Sequence, residues 1–277
     1  MGLEVKSNIK HIEEINALNR EEIQNLSKLN KQLQPLMALP VELQEIYSNA
    51  PQRALYLNKA FDQLGENGVL EFVLELQAED FLACLYTCAD TRIENFKKVE
   101  DFSILSLVQD QNFVEMVLSR FMKLNFPNAS KRALVIKEIF YLLSIERYAG
   151  AISLLYGQFE GLLTDFLVAK GLLRLNENNK LQYQGEKIEY KDQRNQNKKL
   201  ATNTHVTGLT YKIVIANHHF KEFHKLQIYR IDHHAHSYAD SRNSILHGTD
   251  LDNFTLERAF ILAMWFYLVC SWMEKAK

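Results

Sequence analysis

Between Ala259 and Met273 the chain runs almost without a polar side chain. Fifteen positions fall short of the roughly 20 that a bilayer-spanning helix needs. Glu257 and Arg258 stand directly before the run, and Glu274, Lys275 and Lys277 directly after it. A helix apolar on every side must be covered on every side. The expectation is therefore a helix buried in a core or a subunit interface, with no membrane partner. The rest of the chain is suited to the same architecture. Among 277 residues only 10 are Gly and 4 are Pro, and strand-rich folds consume both in their turns. With 47% of residues hydrophobic, the fold class expected is all-α with a substantial core.

Cys84, Cys88 and Cys270 form no CxxC pairs, which argues against a zinc site or a disulfide framework and for reduced, buried thiols. The first residues, Met1-Gly2-Leu3-Glu4-Val5-Lys6, contain no apolar signal core, and position 6 is not the Ser or Thr of a myristoylation signal. A cytoplasmic location is the expectation.

Periodicity divides the chain at Pro127-Asn128. Residues 1–127 read as a helical N-terminal region. Within 3–34, Ile9, Ile12, Asn16, Asn19, Ile23, Leu26, Asn30 and Leu33 recur three and four apart, a coiled-coil seam whose Asn residues specify register. Self-association and packing on its own domain both satisfy that seam. Helices continue through 41–125, with a turn at Gly65 and Gly68. Residues 128–277 read as a second helical domain. One or two long helices fill 130–173, carrying Ile136, Ile139, Phe140, Ile152, Leu155, Phe159, Leu162 and Phe166 on a wide apolar face. Gly150, Gly157 and Gly161 in that stretch suggest close approach to another backbone. A polar, basic insertion spans 176–207. Its segments 181–183 and 187–190 predict a short β-hairpin around Gln184-Gly185-Glu186, and Gln193 to Thr204 predicts a mobile loop. Helix resumes near Gly208, and Asp252 or Asn253 caps the last helix.

Net charge is −2, which by itself points to no nucleic acid. Its distribution does. Lys170 to Arg230 holds 12 Lys and Arg against 5 Asp and Glu, a local +7, leaving −9 elsewhere. Such a segment offers a phosphate backbone a place to settle; it equally suits a solvated insertion. Eight of nine histidines lie between His205 and His247. On a continuous helix over 226–247, Asp232, His236, Asp240, Asn243 and His247 share one face. Ile228, Ile231, Ala235, Tyr238 and Ile245 lie on a neighbouring stripe. A packed helix with such a polar stripe needs partners for it, and active sites and ordinary polar networks both supply them.

The segment Arg242-Asn243-Ser244-Ile245-Leu246-His247-Gly248 resembles the R-x4-6-H signature of the HEPN superfamily, in the variant with Asn after Arg. The upstream helix containing Gln158-Phe159-Glu160-Gly161 resembles the companion helix of one bacterial branch, and the likeness covers about residues 130–277. It implies a helical bundle that pairs as a two-fold homodimer and a metal-independent endoribonuclease that acts on single-stranded or looped RNA. No cofactor, metal or DNA is expected, and an antitoxin or regulatory protein partner fits a toxin or phage-defence setting. The resemblance assigns catalytic roles to Arg242 and His247, with Asn243 and Glu160 in support and Asp165 on another face of the same helix. His titrates near neutrality, so His247 suits proton transfer at a ribose 2′-hydroxyl or a leaving 5′-oxygen. Arg242 offers a planar, permanently charged donor set to phosphoryl oxygens.

Other readings of these residues stay open. Arg242 and His247 also suit a structural pair in a module that binds RNA, nucleotide or protein without cutting. Glu160 suits a buried partner for Arg242 or a backbone amide. Asp232 or His233 with His236 has the spacing of two metal ligands, with His218, His219 or His224 as a third only by folding back. Tyr183, Tyr190 and Tyr211 suit base stacking or packing.

Overall fold

The computed structural model describes residues 50–76, 79–95, 102–191, 196–227 and 251–276. Residues 52–277 form one compact unit and Met1–Pro51 another. The coiled-coil expectation for 3–34 lies outside the described residues. In chain order the helices are α1 (Ala50–Glu66), α2 (Leu70–Glu75), α3 (Glu79–Asn95), α4 (Gln111–Met122), α5 (Ala129–Ser144), α6 (Tyr148–Ala169), α7 (Gly208–His219) and α8 (Leu256–Lys275). Two 3₁₀ segments, Ile104–Gln109 and Lys221–Gln227, precede α4 and follow α7. Four short strands between α6 and α7 form two antiparallel pairs. The fold is mostly helical, as the scarcity of Gly and Pro requires.

The centre is α8. Every residue from Arg258 to Met273 is buried, and α6, α4 and both 3₁₀ segments pack on it. Among the described residues it is a helix long and apolar enough to cross a membrane, yet 89% of its most apolar window is buried inside the protein's own fold. Its aromatic side chains radiate into different neighbours. Phe266 meets Phe121 of α4, Tyr267 meets Phe81 of α3, and Trp272 meets Phe223 of the second 3₁₀ segment, at centroid distances of 6.1, 5.9 and 6.0 Å. Thr255 caps the helix by accepting from the Arg258 amide. The expected caps do otherwise: Asn253 accepts from the Arg258 side chain at 2.6 Å.

The stretch 130–173 resolves into two helices, α5 and α6, which pack side by side. Their junction is a Schellman turn: the Arg147 amide reaches the Leu142 carbonyl at 2.8 Å and the Glu146 amide reaches Leu143 at 3.1 Å. Glu146 takes the left-handed position at φ 60°, which reverses the chain within a few residues. The end of α6 repeats the device with Gly171 at φ 71°. Phe126 and Ala129, on either side of the expected boundary at 127–128, both belong to the core that the helices share.

The insertion departs from expectation in two places. Residues 181–183 do not pair with 188–190. Strand β2 (Leu181–Tyr183) pairs instead with β1 (Leu173–Leu175), and its other edge is taken by 204–206, where the Tyr183 amide bonds Thr204 and the Val206 amide bonds Leu181. Turn chemistry explains the choice: the Asn176 side chain accepts from the amides of Asn178 and Lys180, both at 2.9 Å, and closes the β1–β2 turn. The second departure lies within Gln193 to Thr204, which contains strand β4 (Asn197–Leu200) paired with β3 (Ile188–Lys191). Ile188 stands opposite Leu200 and both are buried, a single apolar cross-strand contact that pins an otherwise polar hairpin.

One polar network fastens α8 to the N-terminal helices. Asp80 Oδ2 accepts from Arg120 Nε at 3.1 Å and Nη2 at 2.5 Å, while Asp80 Oδ1 accepts from the Tyr267 hydroxyl at 2.8 Å. Arg120 Nη1 also donates to Glu274 at 2.7 Å. Burial pushes the Asp80 carboxyl up, but the hydrogen bonds from Arg120 and Tyr267 and the Arg120 charge outweigh it, and the net shift is downward. A carboxyl lowered on folding contributes stability that is fully present above the usual carboxylate pKa and is lost as pH falls from there through the lowered folded-state value. Asp80→Asn should therefore cost on the order of 2 kcal/mol at pH 7 and less at pH 3, as read by urea unfolding at both values. An equal cost at both would show that the charge is unimportant.

Candidate functional site

Helix α6 carries different chemistry on its two edges. Its core-facing stripe, Ile152, Leu155, Phe159, Leu162 and Phe166, is buried and fixes the rotation of the helix. That rotation aims Glu160 at α7 and Gln158, Gly161 and Asp165 at α5. Glu160 Oε1 accepts from Lys212 Nζ at 2.8 Å, with side-chain exposures of only 17% and 7%. Lys212 sits in the apolar run Ile213-Val214-Ile215-Ala216, where a cation is costly unless a charge meets it.

On the opposite edge, Arg132 of α5 lies across the α6 backbone. Its Nε donates to Asp165 at 2.7 Å and its Nη1 to Gln158 at 3.1 Å. Gly161 is what allows this, since a Cβ there would collide with the guanidinium. One turn before Glu160, the Tyr156 hydroxyl accepts from Arg258 Nη1 at 3.4 Å. Arg258, 6% exposed, extends its other nitrogen to Asn253. Tyr156 and Glu160 thus lie along one line of α6 and meet cations from α8 and α7.

A second polar cluster joins the strands to the end of α7. The buried Tyr183 hydroxyl donates to the Glu186 carbonyl at 2.7 Å and lies 2.6 Å from His219 Nε2. With the phenolic proton on Glu186, the imidazole donates and is the Nε2–H tautomer. Burial, with the nearby Glu186 charge, pushes the phenol up to about 12. Burial and then the adjacent His218 push the His219 imidazole down, against the pull of Glu186. His218 Nε2 is 3.5 Å from the Glu186 carboxylate. Tyr183 is therefore spent on packing rather than presented to a base, and Tyr190 and Tyr211 are half-buried against the core. Lys187, Lys191, Lys198 and Lys199 are exposed around β3 and β4, with Glu189 paired to Lys187 and within 3.8 Å of Lys199.

Of the residues singled out from the sequence, Arg242, Asn243 and His247 lie outside the described residues, as do Asp232, His233, His236 and Asp240. Glu160 and Asp165 are placed, each on its own edge of α6 and each paired with a different cation. Among the described residues no group of three or more His, Cys, Asp or Glu is arranged to hold a metal ion. The three thiols are free and buried, with the Cys84 and Cys88 sulfurs 3.8 Å apart.

Sequence reasoning did not single out Lys212, Arg132, Arg258 or Tyr156. Lys212 and Arg258 carried a usable signal, being charges set within or against apolar helical runs.

The glycines give a direct test. A Cβ at Gly157 would meet nothing within 4 Å, whereas one at Gly161 displaces Arg132. Gly157→Ala should stabilise by about 1 kcal/mol through helix propensity, and Gly161→Ala should lose that gain. Equal gains in urea midpoint would refute the Arg132 contact. Compared with known proteins, the chain matches no family model, no curated protein and no solved structure.

Proposed function

We propose that this chain is a metal-independent endoribonuclease of HEPN type. In this reading α5, α6, α7 and α8 are the helical bundle, and two chains pair so that their Arg242–His247 segments share one cleft. The observation that carries the proposal is the coupling of two sequence features to one piece of geometry. The Arg-Asn-x-x-x-His-Gly motif stands downstream of a helix whose matched carboxylate, Glu160, is oriented inside the fold by Lys212. The mutual packing of α6 with α5, α7 and α8 supports the bundle. The exposed lysines around β3 and β4 support an RNA substrate.

In the proposed reaction His247 takes the proton of a ribose 2′-hydroxyl as that oxygen attacks the adjacent phosphorus, or protonates the departing 5′-oxygen. Arg242 meets the phosphoryl oxygens as their charge rises. Asn243, four residues before His247, orients the imidazole or bonds phosphate. Because the attacking oxygen is internal, the product ends in a 2′,3′-cyclic phosphate. Glu160, already facing an ammonium group, serves as a fixed carboxylate rather than as a proton donor. A cytoplasmic toxin or phage-defence role, with an antitoxin or regulatory partner, belongs to the same proposal and rests on the resemblance.

The buried Glu160–Lys212 pair also favours a second reading, a non-catalytic module that binds RNA, nucleotide or protein, since a carboxylate engaged by lysine suffices for architecture. Incubation with mixed RNA, with and without EDTA, separates the two. The ribonuclease reading expects cleavage in both conditions, cyclic-phosphate ends, and a loss of about 10²- to 10⁴-fold in His247→Ala. Absence of cleavage by the wild-type protein on every RNA supports the binding module, and cleavage abolished by EDTA contradicts the metal-independent mechanism.

A further inference from the structure

Helix α5 is apolar on two sides. Its inner side, Ile136, Ile139, Phe140 and Leu143, is buried in the core. Its outer side carries Leu134, Tyr141 and Ile145, which are 67%, 58% and 45% exposed. A single exposed apolar residue is ordinary on a protein surface, but three on one helical stripe make a patch. At 3.6 residues per turn, Tyr141 and Ile145 fall within about 20° of the line through Leu134. Ala133 and Leu142, partly buried against the core, border the stripe. Glu138 and Lys137 are both exposed and lie on opposite flanks, about 40° to one side and about 60° to the other. Being adjacent in sequence they do not face each other on the helix, and neither forms an ion pair among the described residues.

We propose that this outer face of α5 is a homodimer interface, covered by the same face of a second copy that runs parallel to it about a two-fold axis along the stripe. The charges on the flanks select both the occupant and the direction. A two-fold interface must be complementary to itself. Antiparallel pairing brings equal flanks together, so Lys137 would meet the Lys137 of the other copy and Glu138 would meet its Glu138. Parallel pairing brings opposite flanks together, so Glu138 of each copy meets Lys137 of the other, twice per dimer. Leu134, Tyr141 and Ile145 then each pack on their own counterparts along the axis. From Leu134 to Ile145 the stripe is about 16 Å long, short for a permanent interface, so the pairing is reversible and depends on concentration. The inference stands apart from the ribonuclease reading: it uses only α5 and asks nothing of the Arg242–His247 segment.

The test is sedimentation equilibrium of the full-length protein over a series of concentrations, with circular dichroism melting to show that each variant folds. Wild type is compared with Leu134→Glu, Lys137→Glu, Glu138→Lys and the double variant that exchanges the two charges. All three positions are exposed, and the charge variants keep the proposal testable if Leu134→Glu does not fold. Wild type should dissociate reversibly from dimer to monomer on dilution, and Leu134→Glu should be monomeric. Each single charge variant sets like charges against each other twice, and should weaken association by at least about 10-fold. The double variant restores opposite charges and should return to within about threefold of wild type. An equimolar mixture of Lys137→Glu and Glu138→Lys should form a heterodimer where neither forms a homodimer, a result that no cover from the chain's own residues or from another protein can produce. Single variants that associate like wild type overturn the inference and leave the pair required by the ribonuclease reading to another face. Loss in the single variants without recovery in the double variant or the mixture overturns it as well. A wild type that is monomeric at every concentration also overturns it, while cleavage of RNA decides the ribonuclease reading separately.

Discussion

Burial of α8 on all sides is the constraint from which the rest of the architecture follows. A helix with aromatic or aliphatic side chains around its whole circumference cannot lie at an edge. It is covered by elements spread between residues 104 and 227, namely α4, α6 and the 3₁₀ segments. Those contacts include aromatic rings rather than aliphatic chains alone, and within α8 itself Trp265 and Trp272 lie 5.8 Å apart. Rings of that size fit few arrangements, so the neighbours of α8 are fixed in orientation as well as in proximity. The Asp80–Arg120–Tyr267–Glu274 network then sets the rotation of α8 against α3 and α4.

Polar groups do for α6 what aromatic rings do for α8. The helix is apolar towards the core and meets an ion pair on each remaining side, Glu160–Lys212 and Asp165–Arg132. Partly buried pairs add little net stability because desolvation opposes attraction. What they add here is register. A slip of α6 by one residue against α5 or α7 would leave Lys212 in an apolar run without a counter-charge and would place a side chain under the Arg132 guanidinium. The same two pairs leave the Tyr156–Glu160 line of α6 in one defined orientation.

Much of this was legible in the sequence because it depends on patterns that span many residues. The mostly helical character, the helical stretch between 130 and 173, the buried helix over 259–273 and the resumption of helix near Gly208 all follow from periodicity and from the scarcity of turn formers. The misreadings share a different origin. The strand pairing of 181–183 turned on the Asn176 side chain, outside the window that suggested a hairpin. Strand β4 turned on Leu200 alone, an apolar residue averaged away in a polar run. The α8 cap fell to Thr255 rather than Asp252 or Asn253 because Arg258 recruits Asn253. For the site, sequence could mark Glu160 by resemblance, but its partner could not be read, since Lys212 is 52 residues away. No local pattern encodes such a meeting.

The order of elements along the chain has a consequence of its own. The helix that fills the core is synthesised after every described element that packs on it. Asp80 waits 187 residues for Tyr267, and Arg120 waits 154 for Glu274. As translation proceeds, α3, α4, α5 and α6 therefore emerge with their inner faces uncovered. Those apolar faces stay uncovered until α8 clears the ribosome, and exposed apolar surface of that kind favours aggregation.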